Sequence, residues 1–162
     1  MKFLEKNLED IVFNTQPVEL YNRGLDTTAL LGKKKRQLKI GNYGIADIVY
    51  FEKCRNENLE PCLKITVFEL KKDCINIDSL LQAVRYIKGI DRYIFNKRQK
   101  DLTVTYSVIL IGERLDLDSS FVYLTDFLYN SGVQIQVFTY QYEFDGIKFN
   151  EQNGFYLRNE GF

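Results

Sequence analysis

The 162 residues contain no histidine. That absence excludes Ser-His-Asp and Cys-His catalysis, histidine-ligated zinc and a histidine general base. Carboxylates, lysines, tyrosines and three cysteines remain for ligand or acid–base work. Those cysteines, Cys54, Cys62 and Cys74, are odd in number and show no CxxC spacing. They read as reduced cytoplasmic thiols, although Cys54 and Cys62 could face each other across a hairpin. Proline is scarce, with only Pro17 and Pro61, so long extended linkers are not expected. Charge of one sign is missing too: 22 basic residues balance 22 acidic ones. A purely electrostatic nucleic-acid binder would be basic, so any grip on a polyanion must come from local patches. No apolar run has transmembrane length, and the opening MKFLEKNLEDIVF is too acidic and too short for a secretory signal. The expectation is a soluble, cytoplasmic protein with no membrane partner.

Apolar residues make up 45% of the chain, enough to build the core of one domain over residues 1–162. Leu4, Leu8 and Ile11 or Val12 recur at helical spacing between Lys2 and Phe13, with Glu5 and Glu9 one turn apart. Residues 22–36 hold two glycines and the run Lys33-Lys34-Lys35-Arg36, and read as a loop. Short strands are expected at 37–40, 44–51 and 63–71, with 54–62 as a polar connection. The three form an antiparallel meander. Residues 78–95 look helical with Asp78 as N-cap. A strand at 102–112, a helix at 119–130 stopped by Gly132, and a strand at 133–142 follow. A further hairpin around Asp145-Gly146 is open. The order α-βββ-α-β-α-β predicts an α/β fold with a mixed central sheet flanked by helices.

Two strands break their own pattern. Ile65, Val67, Glu69 and Lys71 share one face by the period of two, so an apolar face ends in a carboxylate and an ammonium. Ile45, Asp47, Val49 and Phe51 share a face likewise, with Asp47 as a lone charge. If these strands are neighbours, Asp47 lies beside Glu69. Two adjacent carboxylates repel unless a cation or a proton stands between them, and a hard divalent metal suits oxygen ligands. The plainer alternative is that each is a solvated charge near a strand end.

Asp47, followed after 21 residues by Glu69-Leu70-Lys71, resembles the catalytic signature of the PD-(D/E)XK nuclease superfamily. Gln82-Ala83-Val84-Arg85-Tyr86, in the next helix, is similar to the Q-x-x-x-Y element of its RecB-type and lambda-exonuclease-type members. LEKNLEDIVFNTQPVEL, GNYGIADIVYF and FELKK are similar to the NucS-like endonuclease branch. The motifs together span residues 5–86. Ala46 stands where the proline that names the family would be.

The resemblance implies a restriction-endonuclease-like fold and a Mg²⁺-dependent deoxyribonuclease, read as an endonuclease, with Mn²⁺ able to substitute. Asp47, Glu69 and the carbonyl of Leu70 would hold the metal, and Lys71 would orient water or stabilise the transition state. Gln82 would orient the metal-bound water or the DNA backbone, and Tyr86 would contact a phosphate. Both also read as boundary residues of the core. An acidic residue from the first helix, Glu9 or else Glu5, would complete the set, unless that face is merely solvated. Lys33, Lys34, Lys35 and Arg36, with Lys97, Arg98 and Lys100, are candidate DNA-binding patches in predicted loops, or ordinary solvated charge. A homodimer and a targeting partner protein are possible partners beside DNA. Two rivals stand beside the enzyme: a catalytically inactive nuclease-fold module that binds nucleic acid or protein, and a structural α/β protein with coincidental charges.

Overall fold

The computed structural model describes residues 5–97 and 102–153. Helix α1 (Glu5–Asn14) buries Leu8, Glu9 and Val12 along one stripe, the face that the apolar spacing predicts. A six-residue helix α2 (Pro17–Asn22) follows. It opens on proline, which costs no hydrogen bond in a first turn. Then come β1 (Lys33–Lys39), β2 (Ile45–Arg55), β3 (Pro61–Leu70), β4 (Cys74–Ile75), α3 (Ile77–Lys97), β5 (Thr103–Gly112), β6 (Arg114–Leu115), α4 (Ser119–Asn130), β7 (Gln134–Glu143) and β8 (Gly146–Glu151).

Six strands form one sheet in the order β1-β2-β3-β5-β7-β8, and β4 and β6 form a separate two-stranded piece. β1, β2 and β3 are antiparallel neighbours, as the expected meander requires. β3, β5 and β7 run parallel. Parallel neighbours need crossovers, and α3 and α4 supply them. Residues 65–70 of β3 and 108–112 of β5 are buried throughout, as befits central strands covered on both faces. The two faces make two cores. Val49, Ile65 and Val67 pack with Leu80, Ala83 and Ile90 of α3 and Phe121 of α4. Ile48, Phe68, Leu70 and Ile109 pack with Leu8, Val12 and Leu20 of the first two helices. The fold is therefore mixed α/β, a six-stranded sheet flanked by helices.

Four local expectations need correction. Lys33-Lys34-Lys35-Arg36 is not a loop but the start of β1, paired with 48–51 of β2. β1 is an edge strand, and lysines are well suited to an edge because they discourage further strand addition. The polar connection 54–62 shrinks, since β2 runs to Arg55 and β3 starts at Pro61. The Asn56 side chain closes the turn by accepting from the N–H groups of Asn58 and Glu60. That extra pairing sets Cys54 opposite Cys62, 4.9 Å apart at Cα, and the two form a disulfide, leaving Cys74 free. Finally, Asn76 rather than Asp78 caps α3, accepting from the N–H groups of Asp78 and Ser79. No described helix is long and apolar enough to cross a membrane.

The turn before β2 is locked onto α3. A Cβ on Gly89 would meet the side chains of Ile40 and Tyr43, and one on Gly44 would lie 2.9 Å from the ring of Tyr86. Gly44 also adopts φ +113° and ψ −160°, a conformation essentially reserved for glycine. Gly44→Ala is expected to lower stability by about 1–3 kcal/mol in urea titrations, with the slope of the transition unchanged.

Candidate active site

The last β2–β3 pair is Ile48 with Phe68. One residue further along each strand stand Asp47 and Glu69, the latter continuing the Ile65 and Val67 face that α3 covers. There the backbone ladder gives way to a side chain: Oδ2 of Asp47 accepts the N–H of Leu70 at 2.8 Å. This bond holds the Asp47 carboxylate against the end of β3.

Glu69 is 1% exposed. Its Oε1 meets Nζ of Lys71 at 2.6 Å, while its Oε2 is buried with no hydrogen-bond partner among the described residues. Lys71 itself is held from both neighbours. Its own N–H donates to the carbonyl of Ile111 at 2.8 Å, and the Tyr140 hydroxyl donates to the carbonyl of Lys72 at 2.5 Å. From Lys71 the chain of contacts passes to α3. Nζ of Lys71 donates to Oε1 of Gln82 at 3.3 Å, and Nε2 of Gln82 donates to the Tyr86 hydroxyl at 2.5 Å. The structure thus brings Asp47, Glu69, Leu70, Lys71, Gln82 and Tyr86 to one corner of the sheet.

Electrostatics follow from this placement. Burial pushes the Asp47 carboxyl up to about 6, with Glu5 and Glu9 adding to the rise and the Leu70 N–H and Lys71 opposing it. Burial, then the charge of Asp47, pushes Glu69 up to about 7 against the pull of Lys71. Desolvation alone would lower Lys71, but Glu69, Glu5 and Asp47 outweigh it and raise the ammonium. Tyr86 is raised by burial and then by Glu69. Two carboxyl groups that resist ionising together are a place where either a proton or a cation relieves the repulsion. Among the described residues, no three or more Cys, Asp or Glu side chains gather as a ready metal cage. The local donors are therefore two carboxylates, the orphaned Glu69 oxygen foremost.

The first helix divides its two acids differently from the order in which the sequence ranks them. Glu9 has both oxygens engaged, one by Nε of Arg36 and the other by Nε2 of Gln37. Glu5 accepts from the N–H of Lys72 at 3.4 Å and faces the site's charges. Gln37 is an unforeseen member. It has φ +49° within β1, between the residues paired with Ile48 and Ala46, and so stands across from Asp47. Nothing in the sequence pattern marks it, nor Tyr140 on a distant strand.

The basic residues are spread rather than pooled. Arg36 binds Glu9 and Asp10, and Lys34 reaches the carbonyl and ring of Phe13. Lys33 and Lys35 are exposed along the β1 edge. Lys97 is not in a loop but ends α3, its ammonium 5.1 Å from the Tyr93 ring centre. Arg98 and Lys100 lie outside the described residues.

The pH dependence of folding follows from Asp47 and Glu69. A carboxyl whose folded pKa lies above its ordinary value of 3.8 or 4.5 holds its proton more tightly when folded. Its contribution is full below those ordinary values and is lost as pH rises through about 6 to 7. In EDTA, stability is expected to fall on the order of 2–3 kcal/mol between pH 5 and pH 8. Glu69→Gln should remove most of that slope in urea titrations taken across the range. No protein-family model, curated protein or solved structure matches this chain.

Proposed function

We propose that this chain is a metal-dependent nuclease that hydrolyses phosphodiester bonds in DNA at the Asp47–Glu69–Lys71 corner. The observation that carries this reading is the Glu69 oxygen Oε2, buried without a partner among the described residues, beside a second carboxylate and an ammonium. A buried acceptor left unsatisfied costs about 1–3 kcal/mol. A divalent cation with oxygen ligands would satisfy it and offset the carboxylate repulsion. The PD-(D/E)XK resemblance of Asp47, Glu69-Leu70-Lys71 and Gln82…Tyr86 adds to the same reading, and so does the mixed sheet that carries them.

Asp47 and Glu69, with the Leu70 carbonyl, would hold Mg²⁺ or Mn²⁺. Such an ion supplies a lowered pKa for bound water and charge stabilisation on phosphate oxygens. The chain's own residues do the rest. The Leu70 N–H fixes Asp47 so that the carboxylate pair does not have to reorganise. Lys71 keeps its proton well beyond neutrality and presents a cation to a water or a phosphate oxygen. Gln82 steers Lys71 through its side-chain oxygen and Tyr86 through its nitrogen. Tyr86 is 1% exposed, so its part here is to anchor Gln82 rather than to reach out to substrate. Glu9 acts through Arg36 and Gln37 on the β1 edge, and Glu5 is the acid of α1 that faces the reaction centre.

The Glu69–Lys71 ion pair, which neutralises the carboxylate without a cation from solution, favours a second reading, a nuclease-fold module that binds nucleic acid without cutting it. Cleavage separates the two. The enzyme is expected to cut circular single-stranded DNA or plasmid in Mg²⁺ or Mn²⁺ and to stop in EDTA. Asp47→Ala and Lys71→Ala should each reduce cutting at least about 100-fold, with circular dichroism unchanged. Wild type that binds such DNA yet leaves every form intact with either metal would establish the module instead.

A further inference from the structure

The sheet face that holds Glu69 continues away from it into an open groove of about 770 Å³. Phe51 and Leu63 form its floor, the turn bearing Ile40 and Tyr43 one wall, and Tyr93 on α3 the other. Phe51 lies four residues from Asp47 along β2 and Leu63 six from Glu69 along β3. At about 3.3 Å per residue the floor is roughly 13–20 Å from the carboxylates, on the face of Glu69. The helix face is shared as well: Gln82, Tyr86, Gly89 and Tyr93 follow one another at helical spacing.

Three features set this groove apart from an ordinary apolar cleft. Tyr93 is 62% exposed although its ring borders the groove. Among the described residues, the charged side chains lining the groove are Lys39 and Arg92, with no carboxylate. Arg92 donates to the Tyr43 hydroxyl at 3.2 Å, and Lys97, beyond the groove lining, lies 5.1 Å from the Tyr93 ring centre, so a cation stands beside each ring. This occurs in a chain whose net charge is zero, so the positive bias is local. Aromatic faces interleaved with cations are what a single strand needs, because bases stack on rings while phosphates meet ammonium and guanidinium groups. A paired duplex keeps its base faces buried in its own stack and cannot use the rings in this way.

We infer that this groove binds single-stranded nucleic acid, with a base stacked on the exposed Tyr93 ring and phosphates on Lys39 and Arg92. The groove thereby makes single-stranded or unpaired DNA the preferred substrate of the site. The substrate preference rests on the nuclease reading, but the binding itself does not.

Fluorescence anisotropy of labelled oligo-dT, in EDTA so that nothing is cut, tests it with the whole chain. Wild type is expected to bind oligo-dT more tightly than a duplex of equal length. Tyr93→Ala should weaken binding about five- to hundred-fold, as loss of a stacked base does, while Tyr93→Phe should retain it. Arg92→Ala and Lys39→Ala should each flatten the log–log salt dependence by about 0.7. Unchanged oligo-dT affinity in Tyr93→Ala and Arg92→Ala overturns the inference. So does a chain that ignores oligo-dT but sediments as a dimer dissociated by Tyr93→Ala, since the groove is then occupied by a second copy. A wild type that binds oligo-dT through these residues but never cuts with Mg²⁺ or Mn²⁺ sinks the nuclease reading and leaves the groove standing. Metal-dependent cutting that groove variants do not alter does the reverse.

Discussion

Past Ile48 and Phe68 the backbone pairing of β2 with β3 ends, and the N–H of Leu70 bonds to the side chain of Asp47. That one hydrogen bond ties a carboxylate to the rim of the sheet next to Glu69. The rest of the corner depends on it. Burial raises both acids, the charge of Asp47 raises Glu69 further, and the Lys71 ammonium becomes the local counter-charge. Lys71 in turn has a fixed direction because β5 and β7 hold the backbone on both sides of it, through Ile111 and Tyr140. A low-dielectric setting makes every one of these charges matter more than it would in water.

Polarity is therefore concentrated where the sheet can best restrain it. β3 is the last strand of the antiparallel β1-β2-β3 run and the first of the parallel one, so it is held by neighbours of both kinds. The α3 crossover packs on the same face and delivers Gln82 and Tyr86 to that end. Gly44 lets the turn before β2 lie against the Tyr86 ring. In this way helix, turn and strand ends converge on a site that no single element could build. The same helix face then runs on to the aromatic groove, which is why the carboxylate corner and the groove both border α3.

Much of this was legible in the sequence where periodicity spoke. The alternation in β3 put Glu69 on the face of Ile65 and Val67, and the helical spacing put Gln82 and Tyr86 together. The lone charge Asp47 in an apolar strand marked the second acid. Long-range partners were not legible. Tyr140 looks like any alternating strand residue, and nothing local announces that its hydroxyl meets Lys72 from another strand. Gln37 has no sequence mark of its left-handed conformation, since a polar residue in a short strand looks ordinary. The lysine run misled because a lysine-rich edge strand and a solvated loop have the same composition, and only pairing with β2 tells them apart. Cys54 and Cys62 were separated in the sequence by an apparent loop, whereas the hairpin turn is shorter than its polar composition suggests. Glu9 and Glu5 share a helix face, and only the position of Arg36 and Gln37 decides which of them is engaged elsewhere.

The central claim is that Asp47 and Glu69 together hold a divalent cation. A crystal soaked in Mn²⁺ and recorded at a wavelength where manganese scatters anomalously examines that directly. The nuclease reading requires one strong anomalous peak bonded to an oxygen of each carboxylate, at about 2–2.5 Å, with Glu69 Oε2 among its ligands. A map with no peak there, Glu69 still paired to Lys71 alone and Oε2 still without a partner, would contradict it.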